Sequence, residues 1–539
     1  MAVMFSTLPV ELLLNIGNET TRLKDRKALR RTCTFFGQVF KPLVLAEVTI
    51  NIYHGHLDPG ISLLEALISK SSSTVSQYIR ILNIYSLSPS YSPEPDMDYE
   101  EKLMRCRYTY EVVEKVRDWV QVEPRTSESA IVEEKMFSIL GPALKSLHNL
   151  QTVRWRWQWP RGSERELTVI LESLSSDNLR QNIKEFAFHY TPASINIPIP
   201  FPNLPQLEAL SLIANHDSGD TLSAVAPIIS SPSLRKLHLV SGAPLVHAPL
   251  GRDIPKHITH LGLSGFSISA RSPSQIIHTN LTSLELGEVR CPDARRYDTL
   301  GELWMTLSCN RIHLCSLVVS RMDDTTGALL DYLQSYSGLE VLSLMGPFLR
   351  HNPQYDNLAH RFYSDVLPLH AETLVRLEVK QAFESRWCFG EHNVEIFKRC
   401  RKLKSLSLKV DHRGLDRDEK AESLFTYEDR NLPSGTNSVH LLLDMISFSL
   451  PKLEKLTIEP ARNPYYAHDH SDFMVGAAHY LGVQRRIRAS VGSFVTCNSP
   501  STTVLKWLTV YIGRNKVVFP TSDLRENVKE RNIQQSDQG

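Results

Sequence analysis

Paired histidines are the residues of this chain best spaced for metal chemistry. In "HGH", His54 and His56, and in "HDH", His468 and His470, share one side of an extended segment and offer two ligands per pair. No third ligand stands at a suitable spacing, so both pairs read as surface histidines and no metal or other cofactor is expected. The nucleophile elbow G-x-S-x-G, the phosphate loop G-x-x-x-x-G-K-S/T, H-E-x-x-H and G-x-G-x-x-G are all absent. Serines, histidines and aspartates could still converge in space. Their spacing selects no trio, and no catalytic residue is expected. In "VRWRWQW", Val153, Trp155, Trp157 and Trp159 alternate with Arg154, Arg156 and Gln158. Interleaved aromatic and basic residues can bind single-stranded nucleic acid, but period-two alternation equally suits a core strand with tryptophans inward and arginines outward, which is the favoured reading.

That strand belongs to a recurring pattern, L-x-x-L-x-L. Copies start at Ile79, Ile183, Leu207, Leu234, Ile258 and Leu281, and again at Leu314, Leu339, Leu374, Leu403, Leu453 and Leu505. From 183 through 207, 234 and 258 to 281 the intervals are 24, 27, 24 and 23 residues, within the range of about 20–29 for leucine-rich repeats. Later intervals of 33, 25, 35, 29, 50 and 52 carry insertions. The last apolar pair of each copy alternates as in a short strand, so both side chains enter one core. One copy buries too little to fold alone, whereas stacking buries both flanks of each unit. The pattern resembles a leucine-rich-repeat protein, which implies an α/β solenoid with a curved parallel sheet and helices on the outer side. The Asn that usually follows the last Leu is present only as Asn215, with Thr191 and Asp411 as polar substitutes elsewhere.

Composition narrows the function classes. The chain has 539 residues, 60 basic and 59 acidic, for a net charge of +1, which argues against a dominant nucleic-acid or anionic-membrane surface. Its eight cysteines include no C-x-x-C pair and no regular interval, so reduced thiols in the cytoplasm or nucleus are expected rather than a disulfide frame or zinc site. No apolar run reaches membrane-spanning length, and "MAVMF" is too short and uncharged for a signal peptide.

The first 50 residues differ from the rest. In "TLPVELLLNIGNE", Pro9 suits the first helical position and Glu11 the first turn, and the helix should end near Gly17. Asp25 is a candidate N-cap for a second helix whose stripe is Leu29, Cys33, Phe36 and Phe40. "AEVTINI" alternates as a first strand. The order L-P-x-E-L-L, a polar gap, L-x-x-x-C-x-x-F and an alternating strand resembles an F-box over about residues 6 to 50. That resemblance implies a substrate receptor of a Skp-cullin-F-box ubiquitin ligase, without chemistry of its own. Leu8 and Pro9 would form the lip inserted into the Skp-family adaptor, with Leu12, Leu13 and Ile16 from the first helix and Leu29, Cys33 and Phe36 from the second. Some of these must pack the module's own core, and for Cys33 burial as a small apolar group is the favoured role. The implied partners are that adaptor, a cullin through it, and a target protein held by the repeats. The alternative is a leucine-rich-repeat binding scaffold, unconnected to ubiquitin, whose helical start is only a cap.

These readings divide the chain into a helical module at 1–50, a transition at 51–145, a repeat region at 146–515 and a polar tail at 516–539. The transition holds the helix "SLLEALIS", a Pro- and Ser-rich loop and an amphipathic helix through Leu103, Cys106, Tyr110, Val113, Val116 and Val120. Insertions fall at about 411–440 and 460–500, the second with a helix from about Phe473 to Ile487. The outward strand positions include His238, His260, Glu285, Ser343, Arg376, Glu378, Lys380, Ser407 and Lys409. The face becomes more basic toward the carboxyl end, so Arg376, Lys380, Lys409 and Lys455 are candidates for an acidic or phosphorylated target, and Trp507 and Tyr511 for aromatic anchors.

Overall fold

The structure, a computed structural model, describes residues 8–20, 23–53, 56–69, 73–89, 127–158, 163–191, 201–214, 227–245, 255–266, 280–287, 299–320, 325–346, 353–412, 414–416, 418, 435–461, 473–497, 509–512 and 515–517. The expected helix through Leu103 and Val120, the Pro- and Ser-rich loop from residue 90 on, Asn215, Trp159 and Trp507 lie outside these residues, as do His54, His468 and His470, while Ser86–Ser88, expected to open that loop, are strand. Two compact units divide the chain, Met1–Ile258 and Thr259–Gly539.

In the first unit the repeats form parallel strands in chain order: β1 Glu47–Tyr53, β2 Ile81–Ser88, β3 Thr152–Gln158, β4 Glu185–Thr191, β5 Ala209–Ala214 and β6 Lys236–Leu245. Register converts the sequence spacing into two apolar ladders. One runs through Val48, Leu82, Val153, Phe186, Leu210 and Leu237, the other through Ile50, Ile84, Trp155, Phe188, Leu212 and Leu239. From Leu82 and Ile84 onward every rung is buried. The first Leu of each motif, such as Leu207 or Leu234, lies just before its strand and is also buried, closing the turn into the core.

The second unit repeats the arrangement with β7 His260–Phe266, β8 Ser283–Leu286, β9 Ser316–Val319, β10 Val341–Met345, β11 Arg376–Lys380, β12 Ser405–Val410, β13 Lys455–Pro460 and β14 Thr509–Ile512, all parallel. A short β15, Asn515–Val517, closes antiparallel on β14. The ladder Leu261–Leu284–Leu317–Leu342–Leu377–Leu406–Leu456–Val510 has an aliphatic side chain at every rung. Parallel strands need long return connections, and several here are helices, among them Thr299–Cys309, Thr326–Gln334 and Ser438–Ser449. Both units are thus α/β, with a parallel strand from each repeat. The turns are held by buried polar groups. His370 accepts from the Leu339 amide through Nδ1 and faces the Leu333 carbonyl through Nε2, so the ring is neutral, and burial holds its pKa below the ordinary histidine value.

The amino-terminal helices are α1 Val10–Glu19, α2 Leu23–Thr32, α3 Thr34–Val39 and α4 Lys41–Leu45. Three expectations are corrected here. Pro9 precedes α1 as its N-cap, and α1 runs past Gly17 to Glu19. Asp25 lies inside the first turn of α2 rather than capping it. The stripe read as one helix breaks at Cys33, whose extended backbone caps α3 and whose Sγ accepts from the Phe36 amide at 3.5 Å. Gly17, inside α1, has no side chain where Phe40 and Leu43 lie over the helix. A Cβ there would stand 2.6 Å from Leu43 and 2.7 Å from Phe40. Gly17→Val is therefore expected to cost about 1–3 kcal/mol by overpacking and to loosen α1 from α3 and α4, measurable as lost amide-exchange protection in α1.

Candidate functional site

The helical module sorts the residues that the F-box resemblance assigns. Leu13, Phe36 and Phe40 form its core, with Leu8, Leu29, Phe35, Val39 and Leu43 packed around them. Phe36 and Phe40 meet edge to face with ring centroids 5.4 Å apart. Leu13 and Phe36 therefore support the module from inside. Pro9, Leu12, Ile16 and Cys33 are exposed. For Cys33 this overturns the expected burial: once its backbone caps α3, the side chain sits at a helix end rather than on a packed stripe. Four large apolar side chains remain substantially in solvent, Val10 at 42 %, Leu12 at 49 %, Ile16 at 39 % and Leu23 at 39 %. Leu12 and Ile16 are one helical turn apart, and so are the buried Leu13 and Gly17, which gives α1 one face for the core and another for water.

Beside these helices lies a cleft of ≈ 1040 Å³. Val44, Leu45 and Val48 give it an apolar floor, Lys27, Arg30 and Arg31 a basic side, and Leu23 and Cys33 also line it. The three cations belong to the stretch "LKDRKALRRT".

On the strand faces, β3 points Trp155 and Trp157 into the core and leaves Arg154 and Arg156 exposed. The Trp155 indole donates to Glu166 Oε1 at 3.0 Å, and the Trp157 ring stacks on Tyr190. Buried indoles cannot stack on bases, so the strand's aromatic half serves the core. Arg156 lies over the ring of Tyr85, which is 45 % exposed, with the guanidinium carbon 5.2 Å from its centroid. Sequence reading overlooked Tyr85, although its place in "ILNIY" puts it opposite the buried ladder.

The basic carboxyl-end face is balanced rather than basic. Lys380 Nζ lies 2.5 Å from Glu378 Oε1 and 2.7 Å from Glu459 Oε1. Arg376 donates to Glu378 Oε2 at 3.1 Å, and the buried Ser343 hydroxyl donates to the same oxygen at 3.0 Å. Burial alone would push the Glu378 carboxyl up, but Lys380, Ser343 and Arg376 outweigh it and hold its pKa below the usual range. For Lys380, burial pulls the ammonium down while Glu459 and Glu378 overcome that and raise it. The two cations are thus committed to carboxylates, Glu378 two residues away on the same strand face and, for Lys380, Glu459 from the second strand along. Lys455 is exposed and sits 5.1 Å from the centroid of the half-buried Tyr511, which leaves a cation and an aromatic ring at the last parallel strand. Lys409 is half-buried on β12, opposite Glu459.

One Ser–His–Asp grouping does converge. His440 Nε2 stands 2.9 Å from Ser493 Oγ, 2.9 Å from the Ser490 carbonyl and 3.3 Å from Asp416 Oδ2, and Ser493 Oγ donates to the same Asp416 oxygen. A nucleophile relay needs serine on one imidazole nitrogen and the carboxylate on the other. Here a single nitrogen faces a carbonyl and a carboxylate, so it carries the proton and cannot take one from serine. Ser493 also sits within the helix Phe473–Cys497, where backbone amides are engaged and offer no oxyanion hole. The grouping ties that helix to the start of Ser438–Ser449, whose N-cap Asn437 donates to Asp416 and Ser490. Cys388 and Cys400 are buried free thiols pushed up by burial, Cys400 to about 12, so neither is a nucleophile at neutral pH. His56, from the first histidine pair, faces the Asn51 carbonyl and stacks on Tyr53.

No family model and no curated protein matches the chain. Its function is therefore argued from its own surfaces. No helix among the described residues is long and apolar enough to cross a membrane.

Proposed function

We propose that this chain is a substrate receptor of a Skp-cullin-F-box ubiquitin ligase, in which residues 1–50 act as an F-box and the stacked units as leucine-rich repeats. The observation that carries the proposal is the solvent side of α1, where Leu12 and Ile16, one turn apart, stay substantially exposed although Leu13, Phe36 and Phe40 already supply a core. Clustered exposed apolar side chains mark interaction surfaces, and the basic side of the adjacent cleft suits an acidic partner.

The mechanism is positional. The module docks the Skp-family adaptor, the repeats hold a target protein, and the ligase's conjugating enzyme transfers ubiquitin to lysines whose effective concentration has been raised. Tyr85 with Arg156 and Tyr511 with Lys455 are the exposed or half-buried aromatic and cationic pairs offered to a target. A repeat scaffold whose helices merely cap β1 draws support from α4, which packs against that strand and buries Val44. A cap, however, has no use for Leu12 and Ile16 in water. The purified full chain mixed with a Skp-family adaptor is expected to co-elute with it on size exclusion and to protect α1 from amide exchange. Separate elution with unprotected α1 would leave the scaffold reading.

A further inference from the structure

Three segments of the second unit, far apart in sequence, bring one carboxylate and two imidazoles together. Glu384 lies beyond β11, His412 beyond β12, and His479 in the helix Phe473–Cys497. All three are nearly withdrawn from solvent, at 8 %, 2 % and 1 % exposure. One potential ligand atom from each lies within 4.8 Å of the others. The His412 ring presents Nδ1 to Glu384 Oε1 at 2.7 Å, and the His412 backbone amide donates to the same oxygen at 3.1 Å. The two imidazoles meet edge to face with centroids 5.0 Å apart.

We propose that Glu384, His412 and His479 form a binding site for a divalent transition-metal ion of the zinc class. Two neutral imidazoles and a carboxylate are a donor set that zinc accepts, with bonds of about 2.0–2.2 Å. A tetrahedral ion at those lengths places its donors about 3.3–3.6 Å apart, so small side-chain rotations that open the 2.7 Å Glu384–His412 contact and draw in the wider pairs, all within 4.8 Å, would admit it. Each residue arrives from a different connection, so an ion there fastens the ends of β11 and β12 to the long helix that precedes β14. The trio shares no residue with the adaptor and target surfaces proposed above, and its test is independent of theirs.

The test uses the full chain, stripped with a chelator and titrated with Zn²⁺ alone and then with Co²⁺ alone. Saturable binding, a rise in the thermal midpoint and a Co²⁺ ligand-field spectrum are expected for the unmodified protein. Glu384→Gln and His479→Gln are each expected to weaken Zn²⁺ binding by at least about tenfold, while the double change His468→Ala/His470→Ala leaves it intact. X-ray absorption of the zinc-loaded unmodified chain should show a nitrogen and oxygen shell with imidazole scattering, a readout that needs no variant to fold. The proposal is overturned if the unmodified chain takes up no Zn²⁺, if sulfur appears in the shell, if both Gln variants bind as tightly as the original, or if binding disappears with His468 and His470.

Discussion

Leu12→Glu together with Ile16→Glu is expected to reduce affinity for a Skp-family adaptor by about a hundredfold or more while leaving the thermal midpoint nearly unchanged. Both residues lie on the face of α1 turned away from Leu13 and Gly17, and they are 49 % and 39 % exposed. Replacing them withdraws nothing from the core, and glutamate is a good helix former. In a complex the balance reverses. Each lost apolar anchor, already about half buried in the free chain, removes about 0.6–1.5 kcal/mol of further burial, and each introduced carboxylate must be desolvated or kept out of the interface. At about 1.4 kcal/mol per decade of affinity, the lost burial alone gives about one to two decades, and the carboxylates add to it. Leu13→Ala is the informative contrast, because removing a core side chain costs about 2–5 kcal/mol of stability and weakens binding only through the fold. Leu8→Ala is ambiguous for the same reason, since Leu8 packs on that core. Adaptor binding by the double glutamate variant at undiminished affinity would remove the F-box reading.

Much of the strand architecture was legible because its signal is local. A Leu–x–Leu pair at period two needs only a neighbouring copy to become a ladder, and the register places Leu237 and Leu239 beside Leu210 and Leu212 as the spacing implied. The inward tryptophans followed from the same period. Helix ends were harder to read. Leu29, Cys33, Phe36 and Phe40 fit one stripe whether or not the backbone breaks between them, and only the threonines flanking Cys33 hinted at a cap. The last long helix reaches Cys497 rather than stopping near Ile487, because Val491 and Phe494 bury on the face already used by Val483 and Ile487. Packing there outweighs the weak helix propensity of Gly492 and Val495. The candidate surface was least legible where charges meet across repeats. Lys380 and Glu459 are 79 positions apart, so the basic end inferred along the chain is neutralised by partners that stacking brings together. Glu384, His412 and His479, separated by 28 and then 67 positions, offered no spacing signal at all.

Raising the pH from 5 to 8 is expected to destabilise the first unit through Glu166, and Glu166→Gln to abolish that loss. The helix Glu164–Leu174 begins with a capping arrangement in which Ser163 Oγ accepts from the Glu166 amide at 3.1 Å. The Glu166 side chain is thereby turned under the strand, 3 % exposed, with the Trp155 indole donating to it. Burial pushes its pKa up to about 8, against a smaller opposing pull from the Trp155 and Ser163 hydrogen bonds. The folded-state value lies above the ordinary 4.5, so within this window the chain releases a proton when it unfolds. The stabilising contribution is whole below about pH 4.5 and is lost progressively as pH climbs to about 8. Its total is of order several kcal/mol, at about 1.4 kcal/mol for each pH unit crossed. Glutamine keeps a carbonyl for the Trp155 indole and cannot ionise. The difference in thermal midpoint between variant and original should therefore grow with pH across this range in favour of the variant, and histidines common to both, such as His370, cancel from it. Parallel pH profiles would mean that Glu166 is ionised in the fold and that Trp155 donates to a carboxylate.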